Sequence, residues 1–225
     1  MMELDVVEES RRFLTGYLDG KECGYEVIHP WRKDVRYIIM HSLRVHAYAV
    51  KIAENQPTRL SEGDRIILEA AAILHDIGKH KIKKGHAYVS TEVVQNWLKD
   101  NPGISEKIGN TDKLLRVIEG HSDKDHPESE ICSAILKDAD ILDEIGVLSI
   151  FMTSNRLDRT SPFFFNELLE RTETFEVDYC LEHMNKLNTE YGRKLLRDKM
   201  DFIEKFSRQL SLELEGTEEV YESLR

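Results

Sequence analysis

The 225-residue chain lacks the features of disulfide-stabilised, exported and membrane-bound proteins. Its three cysteines are odd in number and far apart, so the sequence supports neither a disulfide framework nor a zinc ribbon built from CxxC pairs. No charged-then-apolar leader opens the sequence, and no apolar run reaches the about 18 residues that a membrane span needs. We therefore expect a cytoplasmic protein that is neither exported nor anchored to a membrane.

Proline and glycine are also scarce, at five and twelve residues, whereas 40% of the chain is hydrophobic. An all-β fold would need more turn residues, so this composition favours an all-α helical bundle with a substantial core. No Pro/Gly/Ser-rich stretch divides the chain. We predict a single domain over residues 1–225, with its motifs in a core of about 35–145 and C-terminal helices, about 147–215, packing on that core.

Positive charge is in deficit, because 31 Lys and Arg residues face 42 Asp and Glu residues and leave a net charge of −11. This balance opposes the counterion release that gives proteins general affinity for long nucleic acids. A small phosphorylated substrate stays compatible with the charge, since a bound cation reverses the local potential. The sequence contains no Gly-rich phosphate loop and does not indicate an oligomeric state.

Apolar residues recur at helical spacing along most of the chain. Helices are predicted at residues 3–18, 35–54, 62–74, 86–98, 112–119, 128–145, 147–153, 175–187 and 189–214. Ser61 and Thr111 are suitable N-caps for two of them, and Gly78 is placed for a C-terminal cap. The sequence Asn101-Pro102-Gly103 predicts a helix stop, and residues 155–162 are expected to form a loop.

An adjacent His75-Asp76 pair ends the apolar segment AAAIL. Neighbouring residues in a helix point about 100° apart, so both side chains reach one ion only where the helix ends. Imidazole with carboxylate suits a divalent ion that retains open water positions. The alternative is a structural hydrogen bond between the two side chains at a helix terminus.

Periodicity leaves one other position undecided and favours Asp138 at a second. Both His41 and His46 lie on apolar faces of the second predicted helix, so spacing does not choose between them as ligands. On the helix at 128–145, Asp138 falls within the apolar stripe, whereas Asp140 projects away from it if the helix is straight. A bend near Asp138 would reconcile Asp140 with an inward position.

The order of the motifs resembles the H…HD…D pattern of the HD-domain superfamily of metal-dependent phosphohydrolases. HSLRV begins at His41, LHDIGK contains His75 and Asp76, and KDADILD contains Asp140. EGHS, with His121, and TEYGR further along are similar to a bacterial and archaeal subgroup of predicted HD hydrolases. The resemblance spans about residues 35–215 and implies a helical fold that hydrolyses phosphate esters of nucleotides or related small molecules.

Carried over to this sequence, the resemblance implies a set of site residues. The implied metal ligands are His41, His75, Asp76 and Asp140; the implied catalytic residues are Asp76, Lys79 and Arg44; and His86 and His121 are candidates for a second metal or a phosphate contact. The ion would be Mn, Fe, Ni, Co, Mg or Zn, with one ion expected and a second left open. Asp143 is an alternative to Asp76 as the acceptor of the water's proton.

Three alternatives to a phosphohydrolase stay open at this point. One is a non-catalytic, regulatory HD module that binds a nucleotide. Another is a di-iron HD oxygenase, which requires His86 and His121 as true ligands. The third is a purely structural bundle whose histidines fill a core. The remaining histidines are interpreted as structural or surface groups: His29, His46, His80, His126 and His183.

Overall fold

The computed structural model describes residues 5–224, and all regular structure in that range is helical, which confirms the all-α prediction. The helices are α1 (Val6–Leu18), α2 (Arg36–Glu54), α3 (Glu62–Leu74), α4 (His86–Asp100), α5 (Pro102–Ile108), α6 (Thr111–Gly120), α7 (Ile131–Asp143), α8 (Val147–Ser154), α9 (Phe164–Arg171), α10 (Val177–Met184), α11 (Glu190–Glu213) and α12 (Glu218–Leu224). No helix within the described range combines the length and apolar composition needed to span a bilayer.

The chain divides into two compact units. One comprises Met1–Asp143 together with Lys186–Gly192, and the other comprises Glu144–Asn185 together with Arg193–Arg225. Every implied site residue belongs to the first unit. The expectation of a single domain over residues 1–225 stays a prediction.

Helices α2, α3 and α7 form the centre of the first unit. α2 packs against both α3 and α7. The last eight residues of α3 are all buried, and in α7 every residue from Cys132 to Asp143 is buried except Asp140. Helices enclosed on all sides have no single core-facing stripe, so hydrophobic periodicity does not show which of their polar residues point toward a site.

The starts of three helices follow from local chemistry. The Ser61 hydroxyl accepts a hydrogen bond from Asp64 N at 3.1 Å, so Ser61 caps α3 as predicted. The prediction for Thr111 is wrong, because the Asn110 side chain accepts from Lys113 N at 3.0 Å and Thr111 is the first residue of α6. The predicted stop at Asn101-Pro102-Gly103 is confirmed, because α4 ends at Asp100, and Pro102 then opens α5, where its fixed φ suits the first helical position.

Gly78 is not a left-handed helix cap, contrary to the sequence-based prediction, since its φ is not positive. Its role is steric. A Cβ at Gly78 would lie 2.6 Å from Ser90 N, and the Ser90 hydroxyl accepts a hydrogen bond from Gly78 N at 2.9 Å. Only a residue without a side chain lets α4 pack this closely against the turn that follows α3.

The boundaries differ most in the C-terminal third. The predicted helix at 175–187 is instead a π-helical turn, Thr172–Glu176, followed by α10, and α9 and α12 were missed. Within the second unit, the buried Thr153 hydroxyl donates to the Glu176 carboxylate. A π-turn inserts a residue into the 3.6-residue repeat, so a regular period does not detect it. At the other end, the predicted start of the first helix at residue 3 lies outside the described residues.

We predict that Gly78→Ala destabilises the protein, because the new methyl group meets backbone atoms of α4 that cannot rotate away. Overpacking of this kind costs about 1–3 kcal/mol, measurable as a lower melting temperature in thermal unfolding. The matched control is Gly63→Ala in α3, where a Cβ would meet no atom within 4 Å. Its melting temperature should be unchanged or slightly raised. Equal melting temperatures for the two variants would refute the steric role.

Candidate metal centre

The His75-Asp76 pair lies where a helix gives way to a series of turns. α3 ends at Leu74, and the backbone then forms turns with Ile77 N donating to Leu74 O at 3.2 Å and Lys79 N donating to Asp76 O at 2.9 Å. Both His75 and Asp76 are fully buried. The helix end therefore brings the two adjacent side chains into one cluster, as the sequence predicts.

Four histidines surround Asp76, and all four have the same orientation. In each, Nδ1 lies within hydrogen-bond distance of an acceptor: Asp143 Oδ2 at 2.8 Å for His41, Ala72 O at 2.9 Å for His75, Lys83 O at 2.8 Å for His86 and Ile118 O at 2.6 Å for His121. These partners assign the proton of the neutral ring to Nδ1. Each Nε2 then carries a lone pair, and the four lone pairs face the cluster.

Asp76 lies between two pairs of these nitrogens. Its Oδ2 is 3.2 Å from His41 Nε2 and 3.7 Å from His75 Nε2. Its Oδ1 is 3.0 Å from His86 Nε2 and 3.4 Å from His121 Nε2. One carboxylate thus presents a different oxygen to each histidine pair.

Asp140 lies beside the histidine pair formed by His41 and His75. Its Oδ1 is 3.2 Å from His41 Nε2 and 3.8 Å from His75 Nε2. The potential ligand atoms of His41, His75 and Asp140 all lie within 4.8 Å of one another, and the same is true of those of His75, Asp76 and His121. The cluster therefore offers two overlapping sets of donors for a metal ion.

The donors fit a cation because they lack protons to share. His41 Nε2 lies 3.2 Å from His75 Nε2, and His86 Nε2 lies 3.2 Å from His121 Nε2, so with neutral rings acceptor faces acceptor in both pairs until a proton or a metal ion lies between them. Asp76 Oδ1 is buried with no hydrogen-bond donor. A buried polar atom without a partner costs free energy, and a divalent ion would supply the missing positive charge.

Electrostatics also favour positive charge inside the cluster. Burial lowers the pKa of His121 to about 4, which keeps this ring neutral and able to ligate. Burial opposes the charged form of His41 as well, but hydrogen bonds to Asp140, Asp143 and Asp76 outweigh it and raise the pKa of His41. Burial would raise the pKa of Asp76, yet Lys79 and the surrounding histidines hold it well below its usual value.

Each of three carboxylates has its own cationic side chain. Lys79 Nζ is 2.5 Å from Asp76 Oδ2, Arg44 donates from Nε and Nη2 to Asp143 at 2.7 and 2.9 Å, and Lys124 Nζ contacts Asp140 Oδ2. Asp143 also accepts from His41 Nδ1 and lies behind that ring rather than in the cluster. Both oxygens of Asp143 already accept hydrogen bonds, and its alternative role as the acceptor of a water's proton stays a prediction.

Two residues that periodicity made candidates, His46 and Asp138, lie outside the cluster. His46 lies away from the cluster, with Nε2 3.0 Å from Glu69 Oε2, where it links α2 to α3. Asp138 accepts hydrogen bonds from Asn188 N at 2.7 Å and from Thr189 N at 2.8 Å, at the start of α11. α7 is continuous from Ile131 to Asp143, and Asp138 and Asp140 leave it in different directions.

Two features of the neighbourhood were not found from the sequence. The segment before α2 reaches the HD turn, where Gly24 N donates to His80 O at 2.7 Å. Nearby, burial raises the pKa of Tyr25 to about 12, with a smaller effect from Cys23. Lys124 was missed because it lies in a polar loop without periodicity, among exposed residues. Neither segment carries a motif that would have indicated contact with the cluster.

The chain is similar to known proteins in the sequence of one segment and in its fold. Residues 38–145 match the HD domain family model, so this segment of the chain is an HD domain, as the order of the motifs predicts. No curated protein matches the chain significantly.

Solved structures share the fold at low identity. Bacillus subtilis YpgQ is 23% identical, covering 96% of this chain and 99% of its own, with a TM-score of 0.59. YpgQ in complex with ADP has 23% identity, 93% and 98% coverage and a TM-score of 0.56. An HD-superfamily hydrolase from Bacillus thuringiensis has 20% identity, 93% and 97% coverage and a TM-score of 0.57.

We predict that Asp138→Asn and Asp140→Asn separate stability from metal binding. Asn at 138 would turn an amide toward backbone donors, which costs about 1–3 kcal/mol and lowers the melting temperature with little loss of metal affinity. Asn at 140 removes a charged donor from the cluster and should weaken metal binding by more than about 100-fold. Metal titration and melting of both variants test this. If Asp138→Asn lost the ion and Asp140→Asn kept it, the ligand assignment would be wrong.

Proposed function

We propose that this chain is a metal-dependent hydrolase of phosphate esters, with a small phosphorylated molecule as its substrate. The observation that carries the proposal is Asp76, a fully buried carboxylate flanked by two pairs of imidazole nitrogens that have no protons to share. His41, His75, Asp76 and Asp140 are the proposed ligands of one ion. His86 and His121, with Asp76 as the shared ligand, are the proposed ligands of a second.

The proposed substrate class is nucleotides. It is supported by Lys79 at the border of the cluster, since a lysine suits an anionic ligand more than a neutral one. The YpgQ complex with ADP adds a precedent within the same fold, although at 23% identity it carries no residue-level argument. The substrate is proposed to be small, because the net charge of −11 opposes association with a polyanion.

In the proposed mechanism the protein supplies positioning and charge. A divalent ion in such a site supplies a water with a lowered pKa and a positive charge for a phosphoryl oxygen. Asp143 accepts a hydrogen bond from His41 Nδ1 and keeps His41 Nε2 directed into the cluster, and Arg44 fixes Asp143 through a two-point hydrogen bond. Lys79 would neutralise charge on the phosphoryl group, and Asp76 is the carboxylate proposed to accept the water's proton.

A di-iron oxygenase is the second candidate, because it needs His86 and His121 as ligands and these residues do adjoin Asp76. The lysines beside the cluster, Lys79 and Lys124, favour phosphoryl chemistry instead, since oxygen activation does not require them. A regulatory module would bind a nucleotide in the same site without hydrolysing it. Iron-dependent oxygen consumption would support the oxygenase, and nucleotide binding without turnover would support the module.

We predict that His75→Ala loses metal and hydrolysis together. The stripped protein is reloaded with Mn, Fe, Co, Ni, Mg or Zn and tested on nucleoside mono-, di- and triphosphates, cyclic nucleotides and phosphodiester reporters. The wild type should hydrolyse at least one class with at least one metal, and His75→Ala should lower both occupancy and rate by more than about 100-fold.

The matched control is His126→Ala, which removes a histidine whose side chain is 79% exposed and pairs with Asp123 on the surface. It should keep full occupancy and rate. Full metal occupancy in His75→Ala would overturn the ligand assignment. A metal-loaded wild type that turned over none of these phosphoesters would overturn the hydrolase proposal.

A further inference from the structure

Lys124 occupies an unusual place in the loop between α6 and α7. Residues 122, 123, 125, 126 and 127 of this loop are exposed, but the Lys124 side chain is only 21% exposed and turns back to the cluster. Its Nζ contacts Asp140 Oδ2, the oxygen that does not face His41. A cation thus reaches the proposed metal centre from a segment that carries no recognised motif.

The contact with Asp140 leaves part of the Lys124 ammonium unused. An ammonium group has three rotatable N–H donors, and Asp140 Oδ2 is the acceptor that Lys124 contacts among residues 5–224. Arg44 differs, because its Nε and Nη2 are both committed to Asp143. Lys124 therefore has donor capacity at the border of the cluster that a bound anion could use.

The charges around the cluster indicate when the unused donors of Lys124 could bind an anion. Each carboxylate of the centre has a lysine or arginine partner: Asp76 has Lys79, Asp140 has Lys124 and Asp143 has Arg44. Divalent ions add positive charge that the neutral histidines do not offset. The metal-loaded centre is then positive overall. Lys124, which would share Asp140 with a metal ion, is available to bind an anion.

We propose that Lys124 is a substrate-binding residue that contacts the phosphoryl group of the substrate once metal occupies the cluster. The inference rests on the proposed function for the identity of the ligand. The competing explanation is that Lys124 only positions Asp140 as a metal ligand. The two roles differ in their effect on metal affinity, which makes them separable.

The test uses full-length Lys124→Met, which removes the charge and keeps the length, with Lys124→Arg as the conservative variant. Calorimetry measures Mn²⁺ binding first and then inorganic phosphate binding to the Mn²⁺-loaded protein. We expect Lys124→Met to bind Mn²⁺ at least as tightly as the wild type, because a neighbouring cation is gone. Its phosphate affinity should fall at least about tenfold, and Lys124→Arg should recover part of it.

The control is Lys186→Met, which removes a cation that pairs with Asp125 of the same loop, 3.3 Å away. It should bind Mn²⁺ and phosphate as the wild type does, so a general loss of surface charge would be visible. A positioning role predicts instead that Lys124→Met weakens Mn²⁺ binding by about 10–100-fold. That result, unchanged phosphate affinity in Lys124→Met, or a loaded wild type that binds no phosphate would overturn the proposal.

The outcomes also separate this inference from the proposed function. Phosphate binding that depends on Lys124, in a protein that turns over no phosphoester, would keep the binding role and reject the hydrolase. Wild-type turnover in Lys124→Met with unchanged phosphate affinity would keep the hydrolase and reject the binding role.

Discussion

The arrangement of the centre depends on the carboxylate of Asp76 and on the hydrogen bonds that fix the rings around it. His75 and His121 donate from Nδ1 to backbone carbonyls of their own helices, so the ends of α3 and α6 set the tautomer of each ring. His41 donates to Asp143, which Arg44 holds in turn. These hydrogen bonds direct the Nε2 lone pairs toward the carboxylate of Asp76. The result is a buried cluster of hydrogen-bond acceptors, which a cation would stabilise.

The surrounding fold serves this geometry through a few close contacts. Gly78 lets α4 approach the turn after α3, and that approach puts the first residue of α4, His86, beside Asp76. On the opposite side of α7, a Cβ at Gly192 would lie 2.6 Å from Asp138 Oδ2, so the glycine in the TEYGR motif is needed for the Asp138 contacts. Asp138 stabilises the start of α11, while Asp140 two residues later faces the cluster.

The sequence predicted features that depend on neighbouring residues along the chain, and it did not predict features that depend on contacts between distant segments. The end of α3 was predictable because an apolar helix gives way at His75. The family resemblance selected His41, where periodicity left the choice open, and Asp140, where periodicity favoured Asp138. The function of Gly78 was misread because its constraint comes from a segment twelve residues away rather than from its own φ. Lys124 was not predicted, because a lysine in a polar loop gives no signal until the loop is placed in space.

The most direct test of the central claim is anomalous diffraction from crystals of the protein loaded with Mn²⁺. The account predicts two anomalous peaks next to Asp76, one shared with His41, His75 and Asp140 and the other shared with His86 and His121. A single peak would contradict the account, as would the absence of any peak beside Asp76.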